Sequence, residues 1–227
     1  MRILKNDSLS FEIAGGIGII TLDAPQGNRM TMKFLQDFNT LFIDTVYKHP
    51  LKGMIIRSEG RHFSCGADVE ELSNNTISKA KIDDHGIFEA FPNWFTSTKE
   101  VFIRLQSLKV PVVVAAKGLC LGSGLEFAMS GNVRICSNEC LMGYPESTFG
   151  ILPGVTGTLQ ATRELGRSNA LYLVLSGKIV NAQEAVHMGL FHKVVDKKDL
   201  DAYAVQVVRR AVQDADFSKD DVMHYFT

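Results

Sequence analysis

The stretch Pro111-Val112-Val113-Val114-Ala115-Ala116, followed shortly by Gly122-Ser123-Gly124-Leu125-Glu126, constrains this chain more than any other. The first run is apolar throughout and reads as a buried strand. Leu125-Glu126-Phe127-Ala128-Met129 reads as the first turns of a buried helix. A glycine-rich turn from strand to helix aims backbone N–H groups, with the positive end of the helix dipole behind them, at whatever lies in front. Glu126 is unusual among such apolar neighbours, because an ionised carboxylate is costly to bury unless it is paired or used. A second carboxylate, in Tyr144-Pro145-Glu146, follows another apolar run and precedes the turn Gly150-Ile151-Leu152-Pro153-Gly154. Two carboxylates beside exposed backbone donors form a layout for acid–base chemistry on a carbonyl compound.

The same order of strand and helix runs along the chain. Residues 8–22 alternate, break at Ala14-Gly15-Gly16 and resume as Ile17-Gly18-Ile19-Ile20-Thr21-Leu22, which predicts a β-hairpin. After the breaker-rich loop Asp23-Ala24-Pro25-Gln26-Gly27-Asn28, Thr31 is placed to cap a helix with Phe34, Leu35, Phe38, Leu41 and Phe42 at helical spacing. Gly53-Met54-Ile55-Ile56-Arg57-Ser58 predicts the next strand. Strand–helix–strand at this spacing argues for a crossover unit and a largely parallel sheet. Strands at 132–136 and 193–195, a short extended piece at 140–144, and helices at 96–108, 156–165, 169–176, 182–188 and 200–211 continue the pattern. The segment 73–95, polar to about His85 and aromatic at Phe88, Phe91, Trp94 and Phe95, is the least readable.

A length of 227 residues fits one large domain, or one domain with an appendage; the expected division is a core over 1–190 and a short helical region over 191–227. At 45% hydrophobic and 22% charged, the chain buries a sizeable core and is not disordered. The net charge of −1 gives no support for a nucleic-acid or membrane-surface partner. Cys65, Cys120, Cys136 and Cys140 show no CxxC spacing and no histidines at ligand spacing, so no metal is expected. They read as reduced thiols of an intracellular protein. The N-terminus lacks a signal peptide's apolar core and no run approaches a membrane span, so the expectation is a soluble, cytoplasmic protein.

A third stretch, His62-Phe63-Ser64-Cys65-Gly66-Ala67-Asp68-Val69, runs a small-residue turn into an acidic helical turn. Taken in order with Gly122-Ser123-Gly124-Leu125-Glu126 and the segment from Tyr144 to Gly154, it resembles the enoyl-CoA hydratase/isomerase (crotonase) superfamily, from about Phe11 to Ala211. The resemblance implies an α/β, crotonase-like fold of repeated ββα units, with stacked sheets surrounded by helices. It implies an oxyanion hole made by the N–H groups of Ala67 and Ser123, with Glu126 and Glu146 as the catalytic carboxylates. It places Cys65, Gly66, Asp68, Gly122, Gly154 and Arg29 around the substrate and its coenzyme A, although helix capping for Asp68 and a solvated charge for Arg29 stand as alternatives. No separate cofactor is implied, since coenzyme A arrives with the substrate. The implied partners are an acyl-CoA thioester, or one carried on acyl carrier protein, and further copies of the chain in a trimer or hexamer.

The chemistry agrees with the match. A thioester carbonyl carries negative charge when a nucleophile adds at its β-carbon, and losing one of two preorganised N–H donors to it costs about 3 kcal/mol. A serine at position 123 leaves the N–H in place but restricts φ. Two retained glutamates favour a hydratase over a Δ3–Δ2 isomerase, which manages with one. A carrier-protein-dependent dehydratase and a non-catalytic acyl-CoA-binding relative are further alternatives. Phe127 stands where a dinucleotide fingerprint needs its third glycine, and Leu121 and Leu125 flank Ser123 where a serine-hydrolase elbow needs glycines. Relative to the family, the interval from Asp68 to Glu126 is long, with the excess within 73–95, a region the resemblance assigns to the acyl pocket. The chain also stops at Thr227, where typical members continue into helices that build trimers and cover the acyl site.

Overall fold

The structure is a computed structural model that describes residues 2–72, 93–214, 217 and 222–226. The segment 73–92, and with it the assigned acyl-pocket lining around Phe88 and Phe91, lies outside the described residues.

Alternating side chains build the central sheet. Strands β1 (Arg2–Lys5), β2 (Leu9–Ala14) and β3 (Ile17–Leu22) form an antiparallel meander, and Gly15 and Gly16 turn the β2–β3 hairpin at φ +61° and +83°. Helix α1 (Met32–Asp44) opens where Thr31 Oγ1 accepts from the Phe34 N–H at 3.1 Å and leads to β4 (Gly53–Ser58), parallel to β3. Helix α2 (Asn93–Gln106) precedes β5 (Val112–Ala116), parallel to β4. β6 (Leu119–Leu121) and helix α3 (Ser123–Ala128) follow, then β7 (Val133–Ser137) beside β5. β8 (Leu141–Gly143), helix α4 (Gly157–Ser176), β9 (Ile179–Asn181), helix α5 (Ala182–His187), β10 (Lys193–Val195) and helix α6 (Leu200–Gln213) complete the order. The seven-stranded sheet runs β1-β2-β3-β4-β5-β7-β10, parallel from β3 onward, and a three-stranded sheet runs β6-β8-β9.

The two faces of the parallel strands serve two cores, as a period of two requires. Met54, Ile56, Val112 and Val114 face the larger core with the phenylalanines of α1, whereas Ile55, Val113, Ala115, Val133 and Ile135 face a smaller core under α6. Both faces of β4 and β5 are thereby covered, which is why their sequences run almost continuously apolar.

Three short strands, β1, β6 and β9, add to the elements expected from sequence. The helices expected at 156–165 and 169–176 form one segment, α4, broken at Gly166, whose φ of 74° and ψ of 164° interrupt the helical path. α2 starts at Asn93, ahead of the expected 96.

Candidate active site

Two donor turns are stitched side by side. Ser64 and Cys120 form a parallel bridge, in which the Ser64 N–H donates to Leu119 O at 3.0 Å and the Leu121 N–H donates to Ser64 O at 3.1 Å. The turns are so close that only glycine fits between them. A Cβ on Gly66 would lie 2.8 Å from Leu121 O, and one on Gly124 would lie 2.7 Å from Ser64 Cβ. Gly66 also sits at φ +87°. The Ser64 hydroxyl donates to Asn28 O at 2.7 Å and accepts from the Gly66 N–H at 3.1 Å, which fixes the first turn from beneath.

The bridge between Met30 and Ala67 uses Gly66 O and the Asp68 N–H, so the N–H of Ala67 stays outside the ladder. Ser123 is the first residue of α3, where an N–H has no intrahelical acceptor. The left-handed conformation in this turn falls on Gly122 (φ 52°, ψ −127°) and not on Ser123, whose serine is therefore unstrained. The Ser123 hydroxyl is enclosed and has no hydrogen-bond partner among the described residues.

Glu126 is 1% exposed. Its Oε1 accepts from the N–H groups of Val155 at 3.1 Å, Thr156 at 2.9 Å and Gly157 at 2.5 Å, at the start of α4. Burial pushes this carboxyl above the usual carboxylate range, and the Thr156, Gly157 and Val155 N–H groups pull against that rise. Glu146 packs on the other side of the glycine turn, its Oε1 only 2.6 Å from where a Cβ on Gly122 would stand. Burial raises Glu146 to about 7, with the Glu126 charge adding to the rise and its own backbone N–H opposing it. Glu146 Oε2 is enclosed and without a partner among the described residues. Two carboxyl groups thus share one site in unlike surroundings: one held by three backbone donors, the other poised to exchange a proton near neutrality.

The remaining residues expected around the substrate are also placed. Asp68 caps the helical turn Val69–Leu72, accepting from the Glu71 N–H at 3.0 Å, and pairs with Arg29 at 3.1 Å. The cap and the Arg29 guanidinium hold its carboxyl below the ordinary range. Capping and a partly solvated ion pair describe these two side chains in the structure. The Cys65 N–H donates to Gly27 O at 3.0 Å, and its thiol lies against Gly27, pushed up by burial. Gly154 is exposed, immediately before the Val155 donor.

Sequence reasoning missed two parts of this site. The donors of Val155, Thr156 and Gly157 carry no side-chain signature; their signal was the helix start after Pro153-Gly154, where N–H groups have no internal partner. Tyr144, quoted only as the neighbour of Glu146, is fully buried, and its hydroxyl has no hydrogen-bond partner among the described residues. A cavity of about 430 Å³ opens at the far end of α3, lined by Ser130, Arg134, Gln160, Glu164 and His192 among others. It includes neither carboxylate and neither donor turn, so its volume says nothing about the site's chemistry.

A mixed sheet with helices on both faces, carrying a stitched pair of glycine turns with one buried and one half-buried glutamate beside them, defines a crotonase-type fold. Residues 12–226 match the enoyl-CoA hydratase/isomerase family, and the chain belongs to it. Solved structures agree. An enoyl-CoA hydratase from Bacillus anthracis is 23% identical at a TM-score of 0.77, covering 89% of this chain and 76% of that one. An enoyl-CoA hydratase/carnithine racemase from Magnetospirillum magneticum is 24% identical at 0.76, covering 91% and 74%. An enoyl-CoA hydratase from Thermoplasma volcanium GSS1 is 27% identical at 0.74, covering 97% and 89%.

Proposed function

We propose that the protein adds water to, or removes it from, the 2,3 double bond of an acyl-CoA thioester. The observation that carries this reading is the pair of glutamates in unlike surroundings, Glu126 buried and Glu146 half-buried, beside two backbone donors that stand outside the ladder and at the first position of α3. In the hydration direction the thioester oxygen lies on the N–H groups of Ala67 and Ser123. Glu126, whose Oε1 already accepts three donors that favour its ionised form, takes a proton from water as the hydroxyl adds to the β-carbon. The electron pair of the double bond moves onto the carbonyl oxygen as an enolate, stabilised by the two donors. Glu146 delivers its proton to the α-carbon as the enolate collapses. Water's hydrogen and oxygen are accounted for once the two carboxyls exchange their proton.

The test is a panel of 2-enoyl-CoA thioesters in ¹⁸O-labelled water, read by mass spectrometry, with the wild type, Glu126→Gln and Glu146→Gln. The wild type should incorporate label, and each variant should lose about 100-fold or more in kcat. Because Glu146 works protonated with a value of about 7, kcat/KM should fall as pH rises through that point. Wild-type hydration by both variants would sink the mechanism; double-bond migration without label would assign an isomerase instead.

A further inference from the structure

Tyr144 has no part in the scheme above, yet its position is hard to explain as packing. It is fully buried, and its hydroxyl meets no hydrogen-bond partner among the described residues. An enclosed hydroxyl without a partner is destabilising, and phenylalanine would fill the same space without that cost. Two positions on, across the rigid Pro145, Glu146 Oε2 is also enclosed and unpartnered. One of these atoms is a donor and the other an acceptor, and a single buried water needs two to four polar partners of this kind. The charged and titratable groups that act on the Tyr144 phenol are Glu126 from α3, Glu146, the Cys120 thiol from β6 and Arg134 from β7. Burial, then the Glu126 and Glu146 charges, push the phenol well above its ordinary value, so it stays protonated and serves as a donor. Burial likewise keeps the Cys120 thiol neutral.

We propose that Tyr144 is a positioning residue whose hydroxyl reaches Glu146 Oε2 through one enclosed water and thereby sets how readily that carboxyl takes up its proton. The inference rests on the hydratase reading only for what Glu146 does in turnover. A donor directed at a carboxylate favours the ionised form. Removing the hydroxyl therefore raises the Glu146 midpoint beyond about 7.

The experiment titrates ¹³C-labelled glutamate carboxyl carbons by NMR in the wild type and Tyr144→Phe, with Glu146→Gln assigning the resonance. The expected result is an upward move of the Glu146 midpoint by ~0.3 pH unit or more, about twofold in proton affinity. The alkaline limb of kcat/KM should move with it. A smaller move overturns the proposal, since a merely structural tyrosine leaves the titration alone. Should the variant fail to fold, an atomic-resolution crystal structure of the wild type decides. An ordered water within hydrogen-bond distance of both Oη and Oε2 supports the proposal, and none there overturns it. The midpoint is read without turnover, so a wild type that hydrates no thioester would remove the proposed function while this assignment still stood or fell on its own.

Discussion

Gly122 shows how much of a site one residue can fix. Its φ of 52° lets the chain turn from β6 into α3, and its missing Cβ leaves room for Glu146 Oε1. The glycine pattern was legible in the sequence, but the division of labour was not: a left-handed turn and a neighbouring carboxylate are properties of φ and of distance, and serine at 123 looked like the departure until Gly122 proved to carry the strain. The cost of crowding Glu146 there is itself measurable. The carboxyl ionises near 4.5 in the unfolded chain and at about 7 in the fold, so between those values the folded state holds the extra proton. Stability contributed by this group is present at pH 4.5 and below and is lost as pH rises through 7, by about 3 kcal/mol. Glu146→Gln should flatten that slope, so that urea denaturation finds the variant more stable than the wild type at pH 8 and closer to it at pH 5. Parallel pH dependence in the two proteins would mean that Glu146 is solvated as in the unfolded chain.

At the scale of elements, the first turn of α4 is what holds Glu126. Helices were readable where the apolar stripe was long, as in α1 with its Thr31 cap, or where the cap itself is written in the residues, as in the six-residue α5, where Asn181 and Glu184 bond reciprocally at 3.0 and 2.9 Å. The three- and four-residue strands β1, β6 and β9 were not, because so short a run shows no periodicity and is defined by the neighbour it pairs with. The stitch between the donor turns depends on one of them, β6, so the sequence offered both halves of the site without the seam. α4 offers the sharper test. A Cβ on Gly157 would lie 2.8 Å from Glu126 Oε1, 2.9 Å from its Cγ and 2.9 Å from Pro153 Cβ. Gly157→Ala must therefore move the carboxylate off its donors, while alanine's better helix propensity, worth ~1 kcal/mol, offsets part of the clash. The expected outcome is a fall in kcat of about tenfold or more with little change in melting temperature. Full activity in a crystallographically confirmed Gly157→Ala would show that the α4 donors do not position Glu126.

For the whole molecule, the central sheet separates the chemistry from a second core. Met54, Ile56, Val112 and Val114 look toward the core that carries Phe127, Tyr144 and the site, and Ile55, Val113 and Ile135 look away from it toward α6. α6 comes so close to β4 that a Cβ on Gly53 would lie 2.8 Å from both Val208 Cγ2 and Val212 Cγ2. This packing was legible in outline, since unbroken apolar strands demand cover on two sides, whereas which helix supplies it is a matter of chain path. The geometry separates two properties that often change together. Val208 is fully buried in the outer core, across the sheet from the core that carries the site, so Val208→Ala removes apolar area and leaves a void on the face away from the glutamates. Such a truncation costs about 2 kcal/mol, within the range for large-to-small changes in a close-packed interior. Urea denaturation should show that loss at constant m-value, while kcat and KM for the best thioester of the panel stay within about twofold of the wild type. A fall in kcat of the size expected for Gly157→Ala would mean that the sheet transmits strain from the α6 side to the glutamates, and that its two cores are one mechanical unit.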